Sequence, residues 1–392
     1  MLDRLSPQAP DALLALIRLH AADPRDHKID LGVGVYRTEE GETPVFAAIK
    51  AAEQRLVDTQ DSKSYLGPEG DMGFVHALMP YVFGAADPTM GGRIQGMQTP
   101  GGTGAVRLAL ALAQKAGVRR VHMGVPTWPN HAQILADLGM ELAPFDHARA
   151  DGTADLGAVL AAINGAGADE AVLLHACCHN PTGIDYTAEQ WAAIAAAFAE
   201  SGTFPIIDAA YQGLGHGMEE DAAGMRAVLA AVPEAFIAYS CDKNFGQYRD
   251  RVGAFYVLAK EPAQLDTAFS NANALARAGW SMPPDHGGAA VRIILRDVDL
   301  TAQWLAELDT MRARMRQVRD ALGKAGRAGR IDLTPLAAQN GLFAMLPVTK
   351  EEVAILREEH GIYMAASGRI NIAGLTTANL PNFIAALAAV AV

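Results

Sequence analysis

At 392 residues the chain exceeds the length over which one hydrophobic core keeps growing, so two packed units are expected. Half of its residues are hydrophobic and only 19% are charged, a balance too apolar for a disordered chain. A net charge of -12 disfavours any long positive surface and excludes nucleic acid as an expected partner.

The first ten residues carry Pro7 and Pro10 and little periodicity, which predicts an arm over residues 1–10 ordered only by packing on something else. Charges at Asp3, Arg4, Asp11, Arg18, Asp23 and Arg25 interrupt the apolar groups that follow, so no export signal is expected. The apolar run from Leu380 to Val392 is too short to span a bilayer, and no membrane segment is expected. Three cysteines, two of them adjacent at Cys177 and Cys178, suit neither a disulfide framework nor a zinc site. A reducing cytoplasm without a bound metal fits best.

From about residue 95 short apolar runs alternate with Ala/Leu-rich helical stretches, the rhythm of a mostly parallel sheet covered by helices. The strand candidates are Val121 to Val125, Ala171 to Ala176, Phe204 to Ile207, Phe236 to Tyr239 and Val252 to Leu258. Open α/β sheets bind ligands beyond the carboxyl ends of their strands, and Trp128, Asn180, Asp208 and Lys243 all follow such ends. Leu300 to Leu322 has apolar residues at helical spacing among Arg312, Arg314, Arg316 and Arg319, and reads as a long amphipathic linking helix. Beyond it, helices over Glu351 to His360 and Asn379 to Val392 flank a short strand at Arg369 to Ala373. The division expected is a large domain over residues 44–308 and a small domain from residues 11–43 and 309–392.

Gly101-Gly102-Thr103-Gly104 precedes an apolar helical run and could hold a phosphate on backbone N–H groups; alone it is equally a tight turn. Context comes from Ser240-Cys241-Asp242-Lys243-Asn244-Phe245-Gly246 and the Arg251-Val252-Gly253 that follows. With Asn180-Pro181-Thr182-Gly183 and Asp208-Ala209-Ala210-Tyr211-Gln212-Gly213, in this order and spacing, the chain resembles the bacterial aspartate and aromatic aminotransferases of pyridoxal-phosphate fold type I. The likeness runs from Leu31-Gly32-Val33-Gly34-Val35-Tyr36 to Ala366-Ser367-Gly368-Arg369, nearly the whole chain.

That resemblance implies an α/β fold: a large domain with a mostly parallel seven-stranded sheet between helices, and a small α/β domain. It implies pyridoxal 5′-phosphate as cofactor and a homodimer with shared active sites. Lys243 matches the lysine that forms the imine, although a bare lysine is more often a solvated surface charge. Asp208 matches the carboxylate at the ring nitrogen, with Tyr211 and Asn180 on the phenolic oxygen; otherwise a buried Asp could be a helix cap. Gly102, Thr103, Ser240 and Arg251 match phosphate ligands, and Tyr65 matches one donated by the second subunit. Trp128 matches the aromatic stacked on the ring, or else packs in the core. His131 and His175 support the site from behind, or are satisfied core histidines.

Gly34, Trp128 and Asn180 match substrate-binding positions. Arg369 matches the anchor for the substrate's α-carboxylate, which a planar guanidinium binds through two parallel hydrogen bonds. Arg277 matches the residue that reaches the distal carboxylate of an acidic substrate in the other subunit. Three residues depart from the pattern: Asp242, where small or hydroxyl residues are usual, and Trp280 and Met282, a bulkier and softer patch beside Arg277.

The activity implied is ping-pong transfer of the amino group of tyrosine, phenylalanine or aspartate to 2-oxoglutarate. A strictly aspartate-specific enzyme, a β-lyase or decarboxylase on the same scaffold, and a non-catalytic binder of the cofactor are the alternatives.

Overall fold

The computed structural model describes residues 2–7 and 12–392, with the side chains of residues 12–14 excepted. Of the expected arm, Leu2–Arg4 forms one turn of 3-10 helix, while residues 1 and 8–10 lie outside the described residues. The chain divides into two compact units, Pro44–Ala313 and Met1–Thr43 with Arg314–Val392.

The Pro44–Ala313 unit is built on a seven-stranded sheet. Its strands are β1 (Ile94–Pro100), β2 (Arg120–Val125), β3 (Glu141–Asp146), β4 (Glu170–His175), β5 (Phe204–Ala209), β6 (Ala235–Ser240) and β7 (Val252–Leu258), in the spatial order β1-β7-β6-β5-β4-β2-β3. Strands β2 to β6 pair in parallel, whereas β7 runs antiparallel to both β6 and β1. Both faces of β6 and β7 are buried throughout, as expected of strands covered by helices on either side. The five runs read from the sequence all appear as strands within a residue or two. Two more, β1 and β3, complete the sheet at its edges.

Reversal of β7 decides where the chemistry falls. The turn from β6 into β7 returns the chain to the edge where the parallel strands end, and Ser240 pairs with Gly253 while Pro100 pairs with Val252. The close approach depends on Gly253, where a Cβ would lie 2.5 Å from the Gly101 carbonyl carbon and 2.7 Å from the Tyr239 oxygen. Gly101 itself has φ +68°, a left-handed conformation that glycine adopts without penalty, and it opens helix α1 (Gly101–Lys115).

In the unit formed by the two chain ends, Phe343–Met345 pairs antiparallel with Arg369–Asn371, and Ile29–Asp30 pairs parallel with Ile362–Tyr363. The expected strand Arg369 to Ala373 is cut short at Asn371, whose side chain accepts from Ala373 N and caps a 3-10 turn over Ile372–Gly374. Helices occupy Lys350–His360 and Leu380–Val390, the first closed by a reciprocal capping box between Thr349 and Glu352. The long helix foreseen around Leu300 runs from Val298 to Ala325.

A methyl group at Gly253 would press on backbone atoms that cannot rotate away, so Gly253→Ala should cost at least the about 1–3 kcal/mol typical of overpacking. Gly165, where an added Cβ meets nothing within 4 Å, should instead gain roughly 0.4–1 kcal/mol as Gly165→Ala from the lowered entropy of the unfolded chain. Urea unfolding midpoints of the two variants check this; equal shifts would refute the close approach at Gly253.

Candidate active site

Gly102, Thr103, Trp128, Asn180, Asp208, Tyr211 and Lys243 line one pocket in the Pro44–Ala313 unit, together with His175, Cys177 and Ala210. Each arrives from the carboxyl end of a strand: Gly102 and Thr103 after β1, Trp128 after β2, Asn180 after β4, Asp208 and Tyr211 from β5, and Lys243 after β6. Seven of the site residues read from the sequence therefore meet in one place.

Asp208 is only 5% exposed, so its charge needs support. His131 supplies it: with the ring proton on Nε2, that nitrogen donates to Asp208 Oδ2 at 3.0 Å while Nδ1 accepts from the Thr127 hydroxyl at 2.9 Å. His175 Nε2 lies 4.0 Å from the same carboxylate oxygen. Burial opposes ionisation of Asp208, but the hydrogen bond from His131 and the nearby Lys243 amine outweigh it and hold the carboxyl below its ordinary range. His131, His175 and Asp208 offer ligand atoms within 4.8 Å of one another; hydrogen bonding to His131 already employs one Asp208 oxygen.

Lys243 sits in the turn between β6 and β7 with its Nζ 5.3 Å from the centre of the Tyr211 ring. Loss of hydration pushes its amine below the ordinary lysine value, and the carboxylates of Asp242 and Asp208 only partly counter the shift. Asn180 Nδ2 donates to the Tyr211 hydroxyl at 3.4 Å, and Asn180 Oδ1 is buried with no hydrogen-bond partner among the described residues. A buried orphan oxygen in a pocket invites a polar ligand.

At the other end of the pocket, a Cβ on Gly102 would lie 2.8 Å from that of Ser240, so the glycine loop seats directly on the end of β6. Arg251 lies alongside Gly101, where an added Cβ would come within 2.5 Å of its Nη2. Helix N-terminal N–H groups, hydroxyls and a guanidinium make a cradle suited to a phosphate. One carboxylate intrudes: the buried Asp242 forms an ion pair with Arg251. In an extended chain Asp242 would point opposite to Lys243, but residues 242–245 form a turn.

The remaining candidates lie elsewhere. Tyr65 is 93% exposed, and Arg277, on the last turn of the helix Ala263–Gly279, is exposed and donates to Ser281 Oγ at 2.5 Å. Leu66 N lies 3.3 Å from Met282 Sδ, so the Tyr65 and Trp280–Met282 segments share a surface. In the unit of the two chain ends, Gly34 and Arg369 both face Phe343: a Cβ on Gly34 would meet its ring at 2.7 Å, and the guanidinium carbon of Arg369 is 4.6 Å from the ring centre. Arg369 also donates to Gly32 O at 2.9 Å.

Several contributors escaped the sequence reading. Asp221 accepts from the N–H groups of Gly213, Gly215 and His216 and fixes the loop after Tyr211. Asp185 does the same for Cys178 and His179 just before Asn180. His147 and His179 stack with ring centres 3.4 Å apart behind His175. A polar residue a few positions after each glycine- or histidine-rich loop was the available signal.

This arrangement, a carboxylate and an amine held at the ends of parallel strands beside an anion cradle, has known counterparts. The profile of the family described as aminotransferase class I and II matches residues 26–387. A tyrosine aminotransferase of Rhizobium meliloti is 50% identical, covering 96% of this chain and 97% of its own. An aspartate aminotransferase of Escherichia coli is 42% identical over the whole of both chains. The solved structure of an aromatic-amino-acid aminotransferase from Burkholderia pseudomallei, covalently bound to pyridoxal phosphate, superposes with a TM-score of 0.95 at 34% identity and full coverage of both chains. The chain belongs to the class I and II aminotransferases.

Burial pushes His175 down to about 3 from the ordinary 6.5, with His131 adding to the shift and Asp208 opposing it. As the pH falls through that interval the unfolded chain binds a proton at this position that the folded chain refuses, so folding stability drops. His175→Gln removes the contribution. Its urea-derived stability relative to the unsubstituted protein should improve between about pH 7 and about pH 4.5; a difference independent of pH would contradict the burial of a neutral His175.

Proposed function

We propose that this aminotransferase uses pyridoxal 5′-phosphate to move the amino group of aromatic and acidic amino acids, tyrosine, phenylalanine and aspartate among them, to 2-oxoglutarate in a ping-pong cycle. The observation that carries the reading is the convergence in one pocket of Asp208, whose carboxyl is held below its ordinary range, and Lys243, whose amine is pushed below its own. The relatives named for tyrosine, aromatic and aspartate substrates support the substrate range.

The residues present fit the cofactor. An ionised Asp208 suits a protonated ring nitrogen, the amide N–H group of Asn180 and the Tyr211 hydroxyl suit a negatively charged ring oxygen, and Trp128 offers an aromatic face. Gly102, Thr103, Ser240 and Arg251 suit the phosphate. When bound, the cofactor supplies an aldehyde carbon and a ring able to accept the electron pair released at the substrate's α-carbon.

Around it each side chain has a task. Lys243, with an amine pushed below its ordinary value, would take the proton from the substrate's α-carbon and return it to the carbon that was the cofactor's aldehyde carbon. Asp208, kept ionised by His131, holds a positive ring nitrogen throughout. The Asn180 and Tyr211 donors stabilise negative charge on the ring oxygen. Arg369 binds the α-carboxylate, next to a Gly34 whose missing side chain makes room for the Phe343 ring.

The enzyme works as a cytoplasmic homodimer in this reading, residues 44–308 forming the cofactor-binding domain and residues 11–43 with 309–392 the small domain. Tyr65 and Arg277, exposed on a shared surface, then serve the partner subunit's site. Buried reduced Cys177, Cys178 and Cys241 agree with a reducing compartment. Among the described residues no helix is long and apolar enough to cross a membrane.

Arg277 decides between acidic and aromatic side chains. Leaving a distal carboxylate without its partner costs roughly 3–5 kcal/mol, so Arg277→Leu should lower kcat/KM for aspartate by about 10² to 10³ or more. Phenylalanine has no such group, and its turnover with 2-oxoglutarate should be spared or slightly raised. An equal loss for both substrates would remove Arg277 from substrate selection.

A further inference from the structure

We propose that Asp242 makes phosphate binding proton-linked: it holds Arg251 in the cradle through their ion pair, and the cradle takes up one proton when the cofactor's phosphate arrives. The inference rests on reading Gly101 to Thr103, Ser240 and Arg251 as the phosphate cradle.

Geometry carries it. The Asp242 side chain is 3% exposed while that of Arg251 is 39% exposed, so the carboxylate lies beneath the guanidinium and the guanidinium faces outward. Asp242 Oδ1 also accepts from Val252 N at 3.0 Å, and a Cβ at Gly101 would come within 2.9 Å of Oδ2. Arg251 donates to Tyr248 O at 3.1 Å and adopts φ +57°, a left-handed conformation uncommon for a side-chain-bearing residue. Strained backbone of this kind persists where its surroundings over-determine it. Here one buried carboxylate grips both Arg251 and the N–H that follows it.

Such a clamp places the cation in advance and also neutralises it. A phosphate that is chiefly a dianion near neutral pH must share the guanidinium with a carboxylate a few ångströms away, and two like charges in one site disfavour joint ionisation. Asp242 cannot easily turn to water, because its side chain is enclosed and tied to β7. Protonation is the remaining relief. Burial already raises the Asp242 pKa, opposed by the charges of Lys243 and Arg251 and by the Val252 N–H bond, while the adjacent Cys241 thiol, pushed well up by its own burial, adds no charge. Phosphate bound nearby raises it further, so a proton enters with the ligand.

The test compares the affinities of the cofactor-free 392-residue chain for pyridoxal 5′-phosphate and for pyridoxal, from about pH 6 to about pH 9, in the unsubstituted protein and in Asp242→Asn. Relative to Asp242→Asn, affinity for the phosphorylated form should weaken up to about tenfold per pH unit as the pH rises, and the pyridoxal ratio should stay flat. Parallel profiles in two proteins that both prefer the phosphorylated form would overturn the role of Asp242 alone. Equal affinity of the unsubstituted protein for both forms would overturn the phosphate cradle and the inference with it. Should Asp242→Asn fail to fold, calorimetry of the unsubstituted protein in buffers of different ionisation enthalpy gives the same answer. About one more proton taken up with pyridoxal 5′-phosphate than with pyridoxal supports the linkage, and equal counts refute it.

Discussion

Everything at this site depends on holding a carboxylate, Asp208, and an amine, Lys243, at the water-poor end of a sheet. An isolated carboxylate in such a place would neutralise itself. The hydrogen bond from His131, with Thr127 behind it, keeps Asp208 ionised against burial. The same loss of hydration, with no such donor or acceptor to offset it fully, moves the Lys243 amine toward the neutral form that bond-making requires. Burial disfavours charge on both groups, and the outcomes differ because only the carboxylate has a dedicated hydrogen-bond partner that overrides it.

The sheet makes this possible by bringing both groups to the same edge. Parallel strands deliver Asp208, Asn180 and Trp128 there directly, whereas Lys243 and Arg251 arrive through a turn before the reversed strand β7. That turn must lie against the start of helix α1, and Gly101 and Gly253 leave the space for it. The glycine pattern that could have been an ordinary tight turn is therefore a packing requirement shared by sheet, helix and anion cradle. Asp242 adds a local feature, a buried carboxylate beside the proposed phosphate cradle, compensated by the guanidinium above it.

Much of this was legible in the sequence, for physical reasons. The parallel central strands read as short unbroken apolar runs because helices cover both faces, and motif residues at their ends are close in sequence to those runs. Strand β1 escaped because its buried positions include Gln98 and Thr99, satisfied by hydrogen bonds to Pro284 O and Gly101 O. Strand β3, at the sheet edge, carries Pro144 and stays largely accessible, so no apolar run marks it. The two- and three-residue pairings of the chain-end unit are too short for any period to show. Long-range partners such as Phe343 beneath Gly34 and Arg369 are set by folding of distant segments, which no local pattern encodes.

The central claim, that Lys243 is the amine poised by its surroundings to carry the cofactor, has a direct measurement. Borohydride reduction of the cofactor-loaded protein fixes the cofactor to the lysine that holds it, and peptide mapping then locates the label. The account predicts the label on Lys243 and its absence from a Lys243→Ala protein. A label on Lys260 or any other lysine would contradict it.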